Sequence, residues 1–231
     1  MKLALLDLDG TLLENENPYL ELAKHLGIED HVKSRVVKYL HDELSYSELI
    51  RWEVKALKRA YKDIYGLAPI KGDFERLLGT PIVIDGVKEV LDKLREMDYQ
   101  IFVLSSGLYF IAKEVMRYGI PIGNILCNDF LYDTDGRLST IRVSVKGDKI
   151  HAYDLLISAL KVKPDETFYV ADNAFETKLI DHILEKGSRV FYAKKEHKIF
   201  EMESLPKHPL FSEFTSLADI PKMLAEGPAQ A

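Results

Sequence analysis

The stretch "LALLDLDGTLL", residues 3 to 13, places Asp7 and Asp9 at the end of an otherwise apolar run. A strand apolar on both faces belongs inside a parallel sheet covered by helices. Sheets of that kind open their ligand crevice beyond the carboxyl ends of the strands. Strand alternation sends Asp7 and Asp9 the same way while Leu8 faces opposite. Two carboxylates converging there repel unless something positive sits between them. A divalent cation bound by oxygen ligands is the simplest answer, and Mg²⁺ prefers few carboxylates plus waters and a phosphate. The competing local reading is an Asp-Gly hairpin turn at Asp9 and Gly10. It requires a return strand, yet Thr11 to Leu13 runs into "ENENP" and then into helical pattern.

Pro18 suits a first helical position and Gly27 a C-terminal cap, bracketing a helix over Tyr19 to Leu26. A second helix is predicted from about Asp30 to Leu44, with Val32, Val36, Val37 and Leu40 on one stripe. A third starts at a Ser45 or Ser47 cap and carries Ile50, Val54, Leu57, Tyr61 and Ile64. From Thr80 the texture alternates. Helices are predicted over Gly86 to Met97, Leu108 to Tyr118, Ile150 to Leu160 and Phe175 to Glu185. Strands are predicted over Gln100 to Leu104, Asn124 to Cys127, Thr167 to Ala171 and Arg189 to Tyr192, and "DTDG" joins Phe130–Tyr132 to Leu138–Val143 as a hairpin. Strands separated by helices imply right-handed βαβ units. The expected fold class is α/β: a Rossmann-like three-layer parallel sheet core over 1–14 and 80–225, with a small β-hairpin and an inserted α-helical bundle over 15–79. The tail "AEGPAQA" is expected to fray.

A chain of 231 residues with a formal charge of −6 and dispersed Lys and Arg argues against nucleic acid and for a small substrate. The single cysteine, Cys127, forms no internal disulfide, and no apolar run approaches the roughly 20 residues of a membrane helix. A cytoplasmic protein with no membrane contact and no obligate protein partner is the expectation.

"DLDGT" resembles the first motif of the haloacid dehalogenase superfamily, whose phosphatases use the first Asp as nucleophile and the second as general acid and base. The resemblance implies those roles for Asp7 and Asp9, with Gly10 and Thr11 beside the phosphate. "SSG" after "IFVL" looks like the phosphate-binding Ser or Thr of the family, which implies Ser105, with Ser106 and Gly107 next to it. An N-cap for a following helix is the local alternative, and the two readings are compatible. Lys149 in "GDKIHAYDLL" matches the register of the lysine in phosphoserine phosphatase-like members, with Lys146 as a competitor and a solvated surface lysine as the plain alternative. "VADNAFE" resembles the acidic motif that ends the metal site, so Asp172 joins Asp7 and Asp9 around Mg²⁺, with Glu176 in support behind them. Asn173 to Glu176 also has the spacing of a capping box. Ala171 and Glu176 depart from the more frequent Gly and Asp.

For the helical insertion the resemblance implies a substrate-facing acid at Glu16 and an aromatic at Tyr46. The arginine that reads a substrate carboxylate would fall on Glu53, which repels one, while Arg51 lies two residues away on a different helix face. Tyr46 and Trp52 read equally as bundle packing, and Arg51, Lys55 and Lys58 as a solvated face. The implied function is Mg²⁺-dependent hydrolysis of a small phosphorylated metabolite through an aspartyl-phosphate. Phosphotransfer to another acceptor, as in phosphomutases, and a non-catalytic phosphate- or metal-binding regulator are the alternatives.

Overall fold

Strand β1 (Lys2–Leu6) is central because it is apolar on both sides. Leu3 and Leu5 join one buried cluster, and Ala4 and Leu6 join the other. The structure is a computed structural model that describes residues 1–15, 17–194 and 204–227. Its sheet has seven strands in the order β4-β3-β2-β1-β5-β6-β7, where β2 is Tyr99–Leu108, β3 Ile125–Tyr132, β4 Leu138–Arg142, β5 Thr167–Ala171, β6 Arg189–Ala193 and β7 Phe211–Phe214. Only β4 runs antiparallel to its neighbour.

Helices α7 (Ile150–Leu160) and α8 (Thr177–Glu185) cover the Leu3 and Leu5 face through Tyr153, Leu156, Leu179, Ile180 and Ile183. On the other face α5 (Val87–Glu96) contributes Val87, Val90, Leu91 and Leu94, and α9 (Asp219–Glu226) contributes Ile220. Each helix offers its apolar residues at three- and four-residue spacing, as a surface helix must. The expected α/β architecture with its parallel sheet is what the chain forms.

Between β1 and α5 the chain makes α1 (Pro18–His25), α2 (Glu29–Leu40), α3 (Tyr46–Tyr65) and α4 (Asp73–Leu78). Its entry and exit lie side by side: the Glu14 amide donates to the Ile82 carbonyl at 2.9 Å and the Ile84 amide to the Leu12 carbonyl at 3.0 Å. Asn17 caps α1 by accepting from the Tyr19 and Leu20 amides, ahead of Pro18 at the first helical position. Ser45 and Glu48 form a capping box at the start of α3. Leu20, Val36, Leu49, Ile50 and Leu57 merge with the cluster on the α5 face of the sheet. Trp52 packs inside this helical segment, with the Arg35 guanidinium 4.8 Å from its ring centre.

Several expected boundaries are corrected. β2 does not stop at Leu104; it continues to Leu108 because β3 keeps pairing with it, with a register shift between Leu104 and Leu108. The helix expected from Leu108 is therefore reduced to α6 (Tyr109–Ala112) and a 3₁₀ turn over Lys113–Tyr118, which ends at Gly119 with φ 79°. The two short strands expected at Asn124 and Phe130 fuse into β3, whose first half pairs with β2 and second half with β4. α2 ends at Leu40 rather than Leu44, and α8 begins after a 3₁₀ turn at Ala174–Glu176. α4, β7 and α9 carried no separate sequence signal. No helix among the described residues is long and apolar enough to cross a membrane.

Candidate active site

The carboxyl end of β1 is where the acids emerge. The Asp7 amide still donates to the Val170 carbonyl at 3.0 Å, extending the β1–β5 ladder by one residue. The chain then turns tightly, with the amides of Thr11, Leu12 and Leu13 all donating to the Leu8 carbonyl. Gly10 sits at φ 77° in this turn, and a Cβ there would overlap the Asp172 carboxylate. Only glycine lets the loop carry that backbone angle and approach so closely.

Lys149 comes from far along the chain and ends between two of the acids. Its Nζ lies 2.6 Å from Asp7 Oδ1 and 2.5 Å from Glu176 Oε1, and it donates to the Tyr169 hydroxyl at 3.0 Å. It precedes α7 in the left-handed region, φ 55°, a conformation that a non-glycine residue holds only when its surroundings demand it. Burial works to lower the Lys149 ammonium, yet Asp7 and Glu176 hold it above its ordinary value. Asp7 is pushed up by burial and then by Glu176, against the pull of Lys149. The carboxyl of Asp9 is driven by burial to about 7, with the Ser105 hydroxyl drawing it down.

Ser105 Oγ donates to Asp9 Oδ2 at 3.0 Å and accepts the Gly107 amide at 2.8 Å. It stands inside β2 and caps no helix, which corrects the N-cap alternative. Asp9 Oδ1 is buried with no partner among the described residues, so an acceptor faces the cavity unused.

Asp172 follows β5 and is buried. Oxygens of Asp7, Asp172 and Glu176 lie within 4.8 Å of one another. Hard carboxylate oxygens, buried together with the cradle left by Gly10, fit a small divalent cation such as Mg²⁺. Glu176 is otherwise engaged: Oε1 accepts from Lys149 and from the Tyr169 hydroxyl, and Oε2 accepts the Asp172 amide at 3.0 Å. Its capping-box reading is corrected, since the Phe175 amide goes to Asn173 Oδ1 and Glu176 reaches one residue further back.

These groups surround a cavity of about 50 Å³ lined by Asp7, Asp9, Ser105, Ser106, Gly107 and Lys149 on the sheet side. Asn17, Pro18 and Tyr19 of the helical segment, with Asn173 and Phe175, complete it. Tyr46 does more than pack the bundle: its hydroxyl donates to the Ser106 carbonyl at 3.2 Å. Asn128 ties the two halves together. Its Nδ2 donates to the Tyr46 hydroxyl at 3.0 Å and the Ser106 carbonyl at 2.8 Å, and its Oδ1 accepts the Ser144 and Val145 amides, both at 2.9 Å.

Of the expected site residues, Thr11 and Arg51 fall away from the cavity. Thr11 is buried off the cavity with its hydroxyl unpaired among the described residues. Arg51 is exposed, because residues two apart on a helix face opposite ways and Glu53 takes the buried side. Glu16 lies outside the described residues. Sequence reasoning missed Tyr19, Asn128, Tyr169 and Phe175; the cap at Asn17 and Pro18 was the one signal that could have placed Tyr19 at a helix start.

The profile of the haloacid dehalogenase-like hydrolases matches residues 4–174. The chain is 24% identical over 186 residues to a phosphoserine phosphatase of Archaeoglobus fulgidus, covering 78% of this chain and 50% of that one. It is 24% identical to a phosphoserine phosphatase of Wolinella succinogenes, covering 75% and 80%. The chain thus spans about half the length of the first relative and most of the second. Among solved structures it is similar to phosphoserine phosphatase from T. onnurineus, at a TM-score of 0.68 and 16% identity over 96% of this chain and 92% of that one. A substrate-bound phosphoserine phosphatase complex matches at a TM-score of 0.65 and 19% identity, over 83% and 85%.

Proposed function

Because the chain belongs to the haloacid dehalogenase-like hydrolases, we propose that it is a Mg²⁺-dependent phosphatase that hydrolyses a small phosphomonoester through an aspartyl-phosphate on Asp7. One observation supports the reading most: Lys149 Nζ sits 2.6 Å from Asp7 Oδ1 although 142 residues separate them. A lysine is drawn that far into the protein to neutralise something, and a carboxylate beside a phosphate dianion is the load it suits.

In the first step Asp7 attacks phosphorus in line with the departing oxygen, and Asp9 gives that oxygen its proton. Burial keeps the Asp9 carboxyl near 7, where it both holds and releases a proton at neutral pH. In the second step Asp9, now ionised, takes a proton from the water that attacks the aspartyl-phosphate, and Asp7 is restored. Ser105 orients Asp9 and, with the Gly107 amide, stands at the phosphate end of the cavity. Lys149 fixes the Asp7 carboxylate and offsets charge on the phosphoryl oxygens. Asp7 and Asp172 would hold the metal ion, with Glu176 steadying Lys149 and the Asp172 backbone. When bound, Mg²⁺ neutralises phosphoryl charge and shields Asp7 from the repulsion of a dianion.

The helical segment over 15–79 serves in this reading as a cap, with Tyr19 and Tyr46 at the Ser106 carbonyl closing the cavity over the leaving group. A small phosphorylated metabolite is the substrate. Phosphate release from p-nitrophenyl phosphate, lost in EDTA, restored by Mg²⁺ and absent in Asp7→Asn, is the expected result. Turnover that persists in Asp7→Asn overturns the nucleophile assignment.

A further inference from the structure

Asn128 is wholly buried at the point where β3 leaves one neighbour for another: it still pairs with Leu108 of β2, and pairing with β4 begins at Asp129. An asparagine side chain carries two N–H donors and one oxygen with two acceptor sites. Here all four are used. The donors go to the Tyr46 hydroxyl at 3.0 Å and the Ser106 carbonyl at 2.8 Å, and the oxygen takes the Ser144 and Val145 amides, both at 2.9 Å. The partners come from three separate parts of the chain, and each leads to the cavity.

Between Leu104 and Leu108 the register of β2 against β3 shifts, so Ser105, Ser106 and Gly107 of β2 stand opposite Cys127 alone. The Asn128 amide holds the Ser106 carbonyl across that irregularity, and with it the stretch whose Ser105 hydroxyl meets Asp9 and the Gly107 amide. Through its oxygen Asn128 holds the start of the segment that ends at Lys149. In that segment Val145 is buried on the Leu3 and Leu5 face of the sheet, a Cβ at Gly147 would collide with the Tyr39 and Tyr46 rings, and the Lys149 amide donates to the Lys146 carbonyl at 3.1 Å. Tyr46, the first residue of α3, closes the circuit. Its hydroxyl accepts from Asn128 and donates to the Ser106 carbonyl at 3.2 Å, while its ring adjoins Gly147.

We propose that Asn128 is a positioning residue that makes the seating of the helical segment and the setting of the two stretches Ser105–Gly107 and Ser144–Lys149 a single event. It touches no reacting atom, and its role rests on the phosphatase reading of the same site. Withdrawal of Tyr46 leaves a buried N–H of Asn128 without an acceptor, which the amide relieves only by turning and loosening its other bonds. Displacement of the cap then reaches Lys149 through the Ser144 and Val145 amides.

A double-mutant cycle tests this. Tyr46→Phe keeps the ring and removes the hydroxyl; Asn128→Asp keeps an oxygen for the loop amides and removes both N–H donors. The readouts are hydrogen exchange of the Ser144 and Val145 amides by NMR and the Kd for inorganic phosphate by calorimetry in magnesium buffer. Tyr46→Phe is expected to speed exchange of both amides at least about threefold, although Tyr46 bonds neither, and to weaken phosphate at least about threefold. In the Asn128→Asp background the same change should weaken phosphate by less than about 1.5-fold. An asparagine that only packs the core would give the same effect in both backgrounds. Equal effects, unchanged exchange in Tyr46→Phe, or no phosphate binding by the wild type overturns the proposal, and exchange in Tyr46→Phe decides it alone should Asn128→Asp fail to fold. p-Nitrophenyl phosphate separates the two readings. If the wild type does not hydrolyse it while the exchange and affinity effects hold, the phosphatase reading falls and the role of Asn128 stands; if it is hydrolysed and exchange is unchanged, the reverse follows.

Discussion

Tyr39 of α2 stacks on Phe175 beyond β5, with ring centroids 5.9 Å apart and planes 23° from parallel. Phe175 lines the cavity, so this pair roofs it from the helical side. A Cβ at Gly147 would collide with the Tyr39 and Tyr46 rings, which shows how closely the loop before Lys149 approaches the same helices. Lys178 and Asp42 also bridge the two parts at 2.5 Å, but both are largely exposed, and such pairs contribute little. The stack is the stronger contact, worth about 0.5–1.5 kcal/mol beyond its buried area. Tyr39→Ala is expected to raise KM for p-nitrophenyl phosphate by about 2- to 13-fold, the equivalent of that energy, with a smaller change in kcat. Lys178→Ala should leave both within about twofold. Steady-state kinetics of the two variants decide the ranking, and a larger effect at Lys178 reverses it.

Lys149 is the ion-pair partner of two buried carboxylates at once. Removing it leaves Asp7 and Glu176 facing each other with the Tyr169 hydroxyl as the remaining donor to Glu176 Oε1. Breaking a buried pair of this kind destabilises by about 3–5 kcal/mol, because a charge is left uncompensated. Lys149→Met should therefore melt well below the wild type, and below its own transition it should lose about 10²–10³ in kcat. Chemical denaturation and kinetics at low temperature separate the two effects. A variant that is stable and active would show that Lys149 merely fills space.

The parts of the fold and site that were legible are those where local chemistry and final position agree. β1 announced itself by being apolar on both faces, and Asp7, Asp9 and Lys149 by residue type in order along the chain. The capping box at Ser45 and Glu48 fixed the start of α3. What could not be read depended on distant partners. β2 continues through Ser105 to Leu108 only because β3 pairs with it, a contact that no periodicity in "SSG" encodes. Asn128 sits mid-strand with nothing local to mark it, yet it is wholly buried and bonds Tyr46, Ser106 and two loop amides. Glu53 was legible as an acid in an awkward place, while its burial without an ion-pair partner among the described residues was a fact of packing.

Gly10 and Asp172 occupy one another's only space. A Cβ on Gly10 overlaps the Asp172 carboxylate, and φ 77° strains any other residue there. Gly10→Ala should displace Asp172 and weaken the cation site without emptying it of acids. The measurement is the rise in melting temperature on adding Mg²⁺, which for a ligand at 100 times its dissociation constant corresponds to about 2.7 kcal/mol. The rise is expected to be smaller in Gly10→Ala and absent in Asp172→Asn. An undiminished rise in Asp172→Asn would place the metal elsewhere.

Glu53 should leave a signature in stability that needs no ligand. Its folded carboxyl titrates at about 8 against an ordinary value of 4.5, so between those pH values the folded chain keeps a proton that the unfolded chain has lost. Unfolding then releases a proton, and stability from this group is fully present below about pH 4.5 and lost as pH rises through 8. The loss is on the order of a few kcal/mol, since each unit of difference is about 1.4 kcal/mol. Glu53→Gln keeps the shape of the side chain and removes the titration. In urea denaturation with EDTA present, the gain of Glu53→Gln over the wild type should be larger at pH 9 than at pH 5 by at least about 1 kcal/mol. An equal difference at the two pH values would mean that a cation or water already compensates the buried charge.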